Sequence, residues 1–161
     1  MLQPIVSVVI PVYNAQEYIS DSIESVLQQD LSHHALELIV VDDGSTDSSV
    51  SITENLLNQC DFPTSLISID NSGPSRARNL GWQQAKGRWI QFLDADDLLA
   101  STKLHRQLTD AEGLPETVAV VYSPWQRLYP VTEDSRSNSV LVDPYIGSDS
   151  LADLLKTENF I

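Results

Sequence analysis

The sequence is poor in sulfur, in positive charge and in long apolar runs, and each shortage excludes something. A single cysteine, Cys60, among 161 residues rules out an internal disulfide, so a reducing cytoplasm is the expected compartment. No stretch approaches the roughly 20 apolar residues that span a bilayer. The start, Met1-Leu2-Gln3-Pro4, lacks the basic n-region and apolar run of a secretory signal. Only 9 Lys and Arg stand against 23 Asp and Glu, a formal net charge of −14. Nucleic-acid binding rests on Lys and Arg against phosphate, so that class of partner is excluded. Any anionic ligand must be held by local means: a metal ion, a few placed arginines or helix N-termini. No internal repeat, low-complexity tract, Walker-type loop or Ser-His-Asp arrangement is present. His33-His34 lies in a polar loop with no third ligand in view, and His105 reads as a helix-face residue.

What remains is a regular alternation of strand and helix signals. Ile5–Pro11, Leu36–Val41, Ser65–Ile69 and Trp89–Leu93 are short apolar runs of strand length, and Val118–Tyr122 is a fifth. Ile19, Ile23, Val26 and Leu27 share one face of a first helix. Ser45-Thr46-Asp47 offers N-cap chemistry for a second, which carries Val50, Leu56 and Leu57. Pro74 and Gly87 bracket a third, and Leu104 and Leu108 mark a fourth before Gly113. Such alternation predicts an α/β fold: a mostly parallel, Rossmann-like sheet with helices on both faces. Beyond Tyr122 the pattern changes. Trp125–Val131 and Ser139–Val142 read as strands around a polar loop, and Leu151, Leu154 and Leu155 suggest a last helix. The expected organisation is therefore a core over 1–122 and the start of a second region over 123–161.

Right-handed crossovers place all strand C-termini along one edge, where open α/β sheets bind ligands. The polar residues gather there: Tyr13 and Asn14 after the first strand, Asp42 and Asp43 after the second, Asp94 to Asp97 after the fourth. If the fourth strand stays extended through Asp94-Ala95-Asp96, the two carboxylates point to one side about 6–7 Å apart. They could then share a hard cation such as Mg²⁺ or Mn²⁺, which takes oxygen ligands and substrate phosphates. Asp42-Asp43-Gly44-Ser45 suits a turn and helix cap, and equally a carboxylate facing a nucleobase or ribose; either acid could make that contact. Arg76 and Arg78, in the first turns of the Pro74 helix, oppose its dipole. An anion, or the acidic cluster itself, accounts for them better than helix stability does.

In series, these motifs resemble family 2 glycosyltransferases. The matching pieces are Val8-Val9-Ile10-Pro11-Val12-Tyr13-Asn14, Val41-Asp42-Asp43-Gly44-Ser45-Thr46-Asp47, Gly73-Pro74-Ser75-Arg76-Ala77-Arg78-Asn79 and Gly87 through Asp97, spanning about residues 5–110. The resemblance implies a GT-A fold and inverting sugar transfer from a nucleotide-sugar donor, usually UDP-linked. By position it puts Asp42 or Asp43 and Arg76 at the base and lines the base pocket with Pro11, Tyr13 and Asn14. It sets Asp94 at the ribose or donor sugar, and makes Asp96 the ligand of a Mn²⁺ or Mg²⁺ that bridges the diphosphate. The cation explains how an acidic site accepts an anion. The acceptor, whether glycan, lipid-linked or protein, is not readable. No general base is assigned: Glu133-Asp134 lies too early, in a polar loop. The chain stops near the end of what resembles the donor half, so a fragment of a longer enzyme is expected, with the apolar tail Leu151–Ile161 favouring self-association. Two other readings stand beside it: a non-catalytic nucleotide-binding domain, which the missing base suits equally, and a haloacid-dehalogenase-like phosphatase, which fits less well because its nucleophilic aspartate would fall where this chain has Val12-Tyr13-Asn14.

Overall fold

A computed structural model describes residues 4–32, 35–112 and 120. Eight elements alternate along it: β1 (Val6–Val12), α1 (Ile19–Leu27), β2 (Leu36–Asp42), α2 (Ser49–Leu57), β3 (Thr64–Ser68), α3 (Pro74–Gln84), β4 (Trp89–Phe92) and α4 (Lys103–Ala111). The strands form one parallel sheet in the order β3-β2-β1-β4. The two central strands, β1 and β2, are buried along their whole length, whereas the outer strands β3 and β4 are half-buried. That is why the central pair reads as nearly continuous apolar sequence, broken within the strands by the buried Ser7 and Glu37 and ending at Asp42.

Period-two alternation splits the strands between two cores. Val6, Val8, Ile10 and Val12 of β1, with Leu36, Leu38 and Val40 of β2, face a core shared with Ile19, Ile23 and Val26 of α1, Leu57 of α2 and Leu104 of α4. Val9, Ile39 and Val41 face the other way, onto Ala77 of α3. Helices therefore cover both faces, as the sequence predicts. Among the described residues, no helix is long and apolar enough to cross a membrane.

Several boundaries differ from the sequence reading. Helix α2 begins at Ser49, later than the Ser45-Thr46-Asp47 cap predicts, and its N-cap residue Ser48 makes no side-chain cap bond. Cys60 lies just past α2, half-buried, with its thiol pushed up by burial and by the charge of Asp61. The expected strand Val118–Tyr122, the segments beyond it, the boundary near 122 and His33-His34 lie outside the described residues, Val120 excepted.

At the N-terminal end of the sheet, the α3–β4 connection is tied to the strands through a buried carboxylate. Glu37 accepts hydrogen bonds from the Ser7 hydroxyl (2.6 Å) and the Lys86 N–H (2.8 Å), and Ser7 Oγ accepts the Gly87 N–H at 2.8 Å. A Cβ on Gly87 would sit 2.5 Å from the Ser7 nitrogen. Gly87→Ala is expected to destabilise the fold by about 2 kcal/mol through overpacking against backbone that cannot rotate away. A fall in the urea midpoint at unchanged m-value checks this; an unchanged midpoint would contradict it.

Candidate active site

At the opposite edge, the order β3-β2-β1-β4 puts the topological switch between β1 and β4. That reversal of strand order marks the place where open α/β sheets carry their binding site, although α1 after β1 and α4 after β4 both pack on the same face here. The loops after β1, β2 and β4 and the N-terminus of α3 meet around it.

The loops after β1 and β2 are laced together. Asn14 adopts a left-handed backbone (φ 49°), which turns its side chain toward the second loop. Its Oδ1 accepts the Thr46 N–H at 2.8 Å, and its own N–H donates to Ser45 Oγ at 2.9 Å. The Ala15 N–H donates to Ser49 Oγ, the Gln16 N–H to the Asp47 carboxylate, and the Ser48 N–H to Gln16 Oε1. Ser45 thus serves loop-to-loop bonding, whereas Asp47 bonds both across the loops and to the helix, one oxygen accepting the Gln16 N–H and the other the Ser49 N–H at the start of α2 (2.9 Å). Pro11 is buried at the end of β1, in register with Val41, while Tyr13 stands 52% exposed beside it.

The two acids after β2 separate in role. Both are 3% exposed. Asp42 caps its own turn, its Oδ1 accepting the Ser45 N–H at 3.1 Å across Gly44, whose φ of 79° suits glycine. Asp43 reaches away and receives the Ser72 N–H (2.7 Å) on one oxygen and the Gly73 N–H (2.8 Å) on the other. It thereby pins the entry to α3 against the end of β2. Arg76 is exposed one turn into α3, with Nη1 3.2 Å from Ser72 Oγ, and with Ser68, Ile69 and Asp70 it lines an open concavity.

The segment after β4 departs from the extended geometry expected of it. The strand ends at Phe92, and Asp94–Asp97 closes a turn through a 3.0 Å bond from the Asp97 N–H to the Asp94 carbonyl. Ala95 is drawn into the core, so alternation along a strand does not relate Asp94 to Asp96. The Ser22 hydroxyl of α1 lies within hydrogen-bond reach of the turn's carbonyls at Asp94, Ala95 and Asp97. Asp94 pairs with Arg78 of α3 at 2.5 Å, so Arg78 answers the acidic cluster itself. Asp96 and Asp97 are exposed. Asp97 titrates above the ordinary carboxylate range because of partial burial, then the charges of Asp96 and Asp94. Nearby, burial lowers the Lys103 amine to about 8, its hydrogen bonds going to the neutral side-chain oxygens of Gln91 and Gln107.

The arrangement is three acids in one turn at a sheet switch point, facing an arginine-bearing helix start. A model of glycosyl transferase family 2 matches residues 7–151. The chain belongs to that family. Among curated relatives it is 43% identical over 108 residues to an uncharacterised glycosyltransferase of Haemophilus influenzae, covering 67% of this chain and 42% of that protein. It is likewise 43% identical over 110 residues to the putative teichuronic acid biosynthesis glycosyltransferase TuaG of Bacillus subtilis, covering 66% and 41%. The chain spans less than half the length of either. Among solved structures it resembles S. aureus TarS 1-349 in complex with UDP, at 33% identity and a TM-score of 0.61, over 65% of this chain and 31% of that one. It also resembles the Pyrobaculum calidifontis mannosyltransferase PcManGT in complex with GDP-Man and Mn²⁺, at 26% identity and a TM-score of 0.64, over 70% and 33%. The family fold is GT-A, and the parallel sheet described above is its core.

Set in the family fold, every site residue expected from sequence lies at the C-terminal edge of the sheet or at the start of α3. Pro11, Tyr13 and Asn14 leave β1, Asp42 and Asp43 leave β2, Arg76 opens α3, and Asp94 and Asp96 follow β4. The sequence reading missed two partners of these groups. It offered Arg78 either an anion or the acidic cluster without naming Asp94, and it passed over Ser22, whose i+3 spacing from Ile19 put it on the buried side of α1 as a visible oddity.

Proposed function

We propose that this chain is the donor-binding part of an inverting glycosyltransferase that takes a UDP-linked sugar together with Mn²⁺ or Mg²⁺. The observation that carries the reading is the turn after β4: Asp96 is presented to solvent at the sheet switch point, beside two further carboxylates. Asp97 is raised first by burial and then by the charges of Asp96 and Asp94, and a divalent cation would relieve the charge part. No group of three or more potential ligands forms a ready-made cage among the described residues. The fit is therefore to an ion held by one or two carboxylates and completed by substrate phosphates, as Mg²⁺ and Mn²⁺ commonly are. Asp96 would be the protein ligand; when bound, the ion supplies Lewis-acid stabilisation of the departing nucleoside diphosphate.

The chain's own residues do the rest. Asp43 uses two of about four lone-pair positions on backbone N–H groups, which leaves acceptor capacity for a base N–H. Arg76, in the first turn of α3 just after Ser72 and Gly73, supplies a donor and positive charge at the base. Pro11, Tyr13 and Asn14 form the wall that follows β1, and Asp94, oriented by Arg78, faces the ribose or donor sugar. Residues 1–122 would make up this donor half, and 123–161 would begin the acceptor side. The general base belongs to no described residue assigned here.

Calorimetry with UDP tests the reading. Affinity should be at least tenfold higher with Mn²⁺ than with EDTA, and equal affinity in both would remove the metal from the site. Glycan formed from a labelled donor on an acceptor panel would distinguish a transferase from a domain that only binds nucleotide.

A further inference from the structure

We propose that Ser22 of α1 is a positioning residue that sets the metal-bearing turn in its working shape, an inference that rests on the metal reading of Asp96. Ser22 is fully buried, and its Oγ lies 2.6 Å from the Asp97 carbonyl, 2.8 Å from that of Ala95 and 3.4 Å from that of Asp94. One hydroxyl proton is thus shared among three carbonyls of a single turn. With the carbonyls drawn inward, the side chain of Asp96 is left outward, in solvent.

Ser22 heads a polar stripe on α1 that continues at the helical spacing of Ser25, and Gln29, just past the end of the helix, extends it. Ser25 Oγ donates to the Ser22 carbonyl (2.7 Å) and accepts the Leu99 N–H (3.1 Å). The Gln29 side chain donates to the Ala100 carbonyl (2.9 Å) and accepts the Leu104 N–H (3.1 Å). Residues 93–102 form no helix or strand, so their inward backbone groups need partners from elsewhere. Helix α1 supplies them, and a helix is a rigid template for a turn that must hold a ligand in one place. The stripe divides by function. Only Ser22 touches the acidic turn itself, whereas Ser25 and Gln29 anchor the chain beyond it.

Supporting groups of this kind typically carry about 10–100-fold in metal affinity. In Ser22→Ala, the ratio of UDP affinity with Mn²⁺ to that with EDTA should fall about tenfold. Affinity in EDTA should stay near wild type, and Ser22→Thr, which keeps a hydroxyl, should recover most of the ratio. Ser25→Ala is the control: it should lower the melting temperature while leaving the ratio unchanged. Amide hydrogen exchange on the intact chain gives a second readout, with faster exchange at Asp97 in Ser22→Ala and α3 unaffected. A wild-type ratio of one would sink the metal reading and this proposal with it. A high wild-type ratio that survives unchanged in Ser22→Ala, or falls equally in Ser25→Ala, would overturn the positioning role alone. Should Ser22→Ala fail to fold, the near-isosteric Ser22→Cys, a weak donor, takes its place with the same expected loss.

Discussion

Asp96→Ala is expected to abolish the metal-dependent part of nucleotide binding while leaving a cooperative thermal transition close to that of the unaltered chain. The carboxylate is exposed at the outer side of a turn, so its removal opens no cavity and orphans no buried group. Its loss should matter for ligand because the proposed reading makes this exposed carboxylate the protein ligand of a phosphate-bound cation. Outer-shell partners of metal ligands commonly cost about 10–100-fold, and a direct ligand should cost at least the upper end of that range. Calorimetry with UDP and Mn²⁺ measures it. Asp97→Asn should cost much less; a comparable loss there would move the ligand to Asp97. There is also a reporter that needs no nucleotide. Asp96 is one of two charges that, after burial, hold Asp97 above its ordinary range. In Asp96→Ala the Asp97 titration, followed by NMR, should shift downward, and an unmoved titration would show that the two carboxylates do not feel each other.

Asp43→Ala is expected to destabilise the fold by about 3 kcal/mol and to weaken UDP binding even in EDTA. Two backbone N–H groups end on this carboxylate, and hydrogen bonds to charged groups contribute about 1.5–3 kcal/mol each, offset in part by relief of the buried charge. Asp42→Ala removes one bond from a local turn and should cost only about 1 kcal/mol. Asp43→Asn keeps one acceptor oxygen and should fall between the two. Urea denaturation ranks the three. A larger loss in Asp42→Ala than in Asp43→Ala would reverse the roles assigned to the pair. The coupling of stability with metal-independent binding follows from position, since Asp43 holds Ser72 and Gly73 just before the first turn of α3, which carries Arg76.

How far the sequence could be read depended on whether the interaction was local. Strand and helix identity was legible because both central strands are covered on both faces, which demands seven successive buried positions in each. Strand ends, central and edge alike, were off by at most a residue, since where pairing stops is set by neighbouring strands and not by local composition. The acids were placed at strand ends correctly because parallel crossovers leave a single edge for them. Asp94-Ala95-Asp96 was misjudged in conformation. An extended strand was the local expectation, but the segment closes a turn whose carbonyls meet the buried hydroxyl of Ser22, 72 residues earlier than Asp94.

By itself the sequence determined the alternation of elements, the two-sided sheet, the family motifs and the short roster of acids and arginines that could meet a charged ligand. These follow from periodicity and composition, which act over a few residues. Only the tertiary structure decided the strand order and hence the switch point between β1 and β4. Only it gave Asp42 to its own turn and Asp43 to the start of α3, paired Arg78 with Asp94, and matched a polar stripe on α1 to the turn after β4. Each of those is a hydrogen bond or ion pair between segments far apart in the chain. The partner is chosen by where packing brings the backbone, and no spacing along the chain encodes that distance.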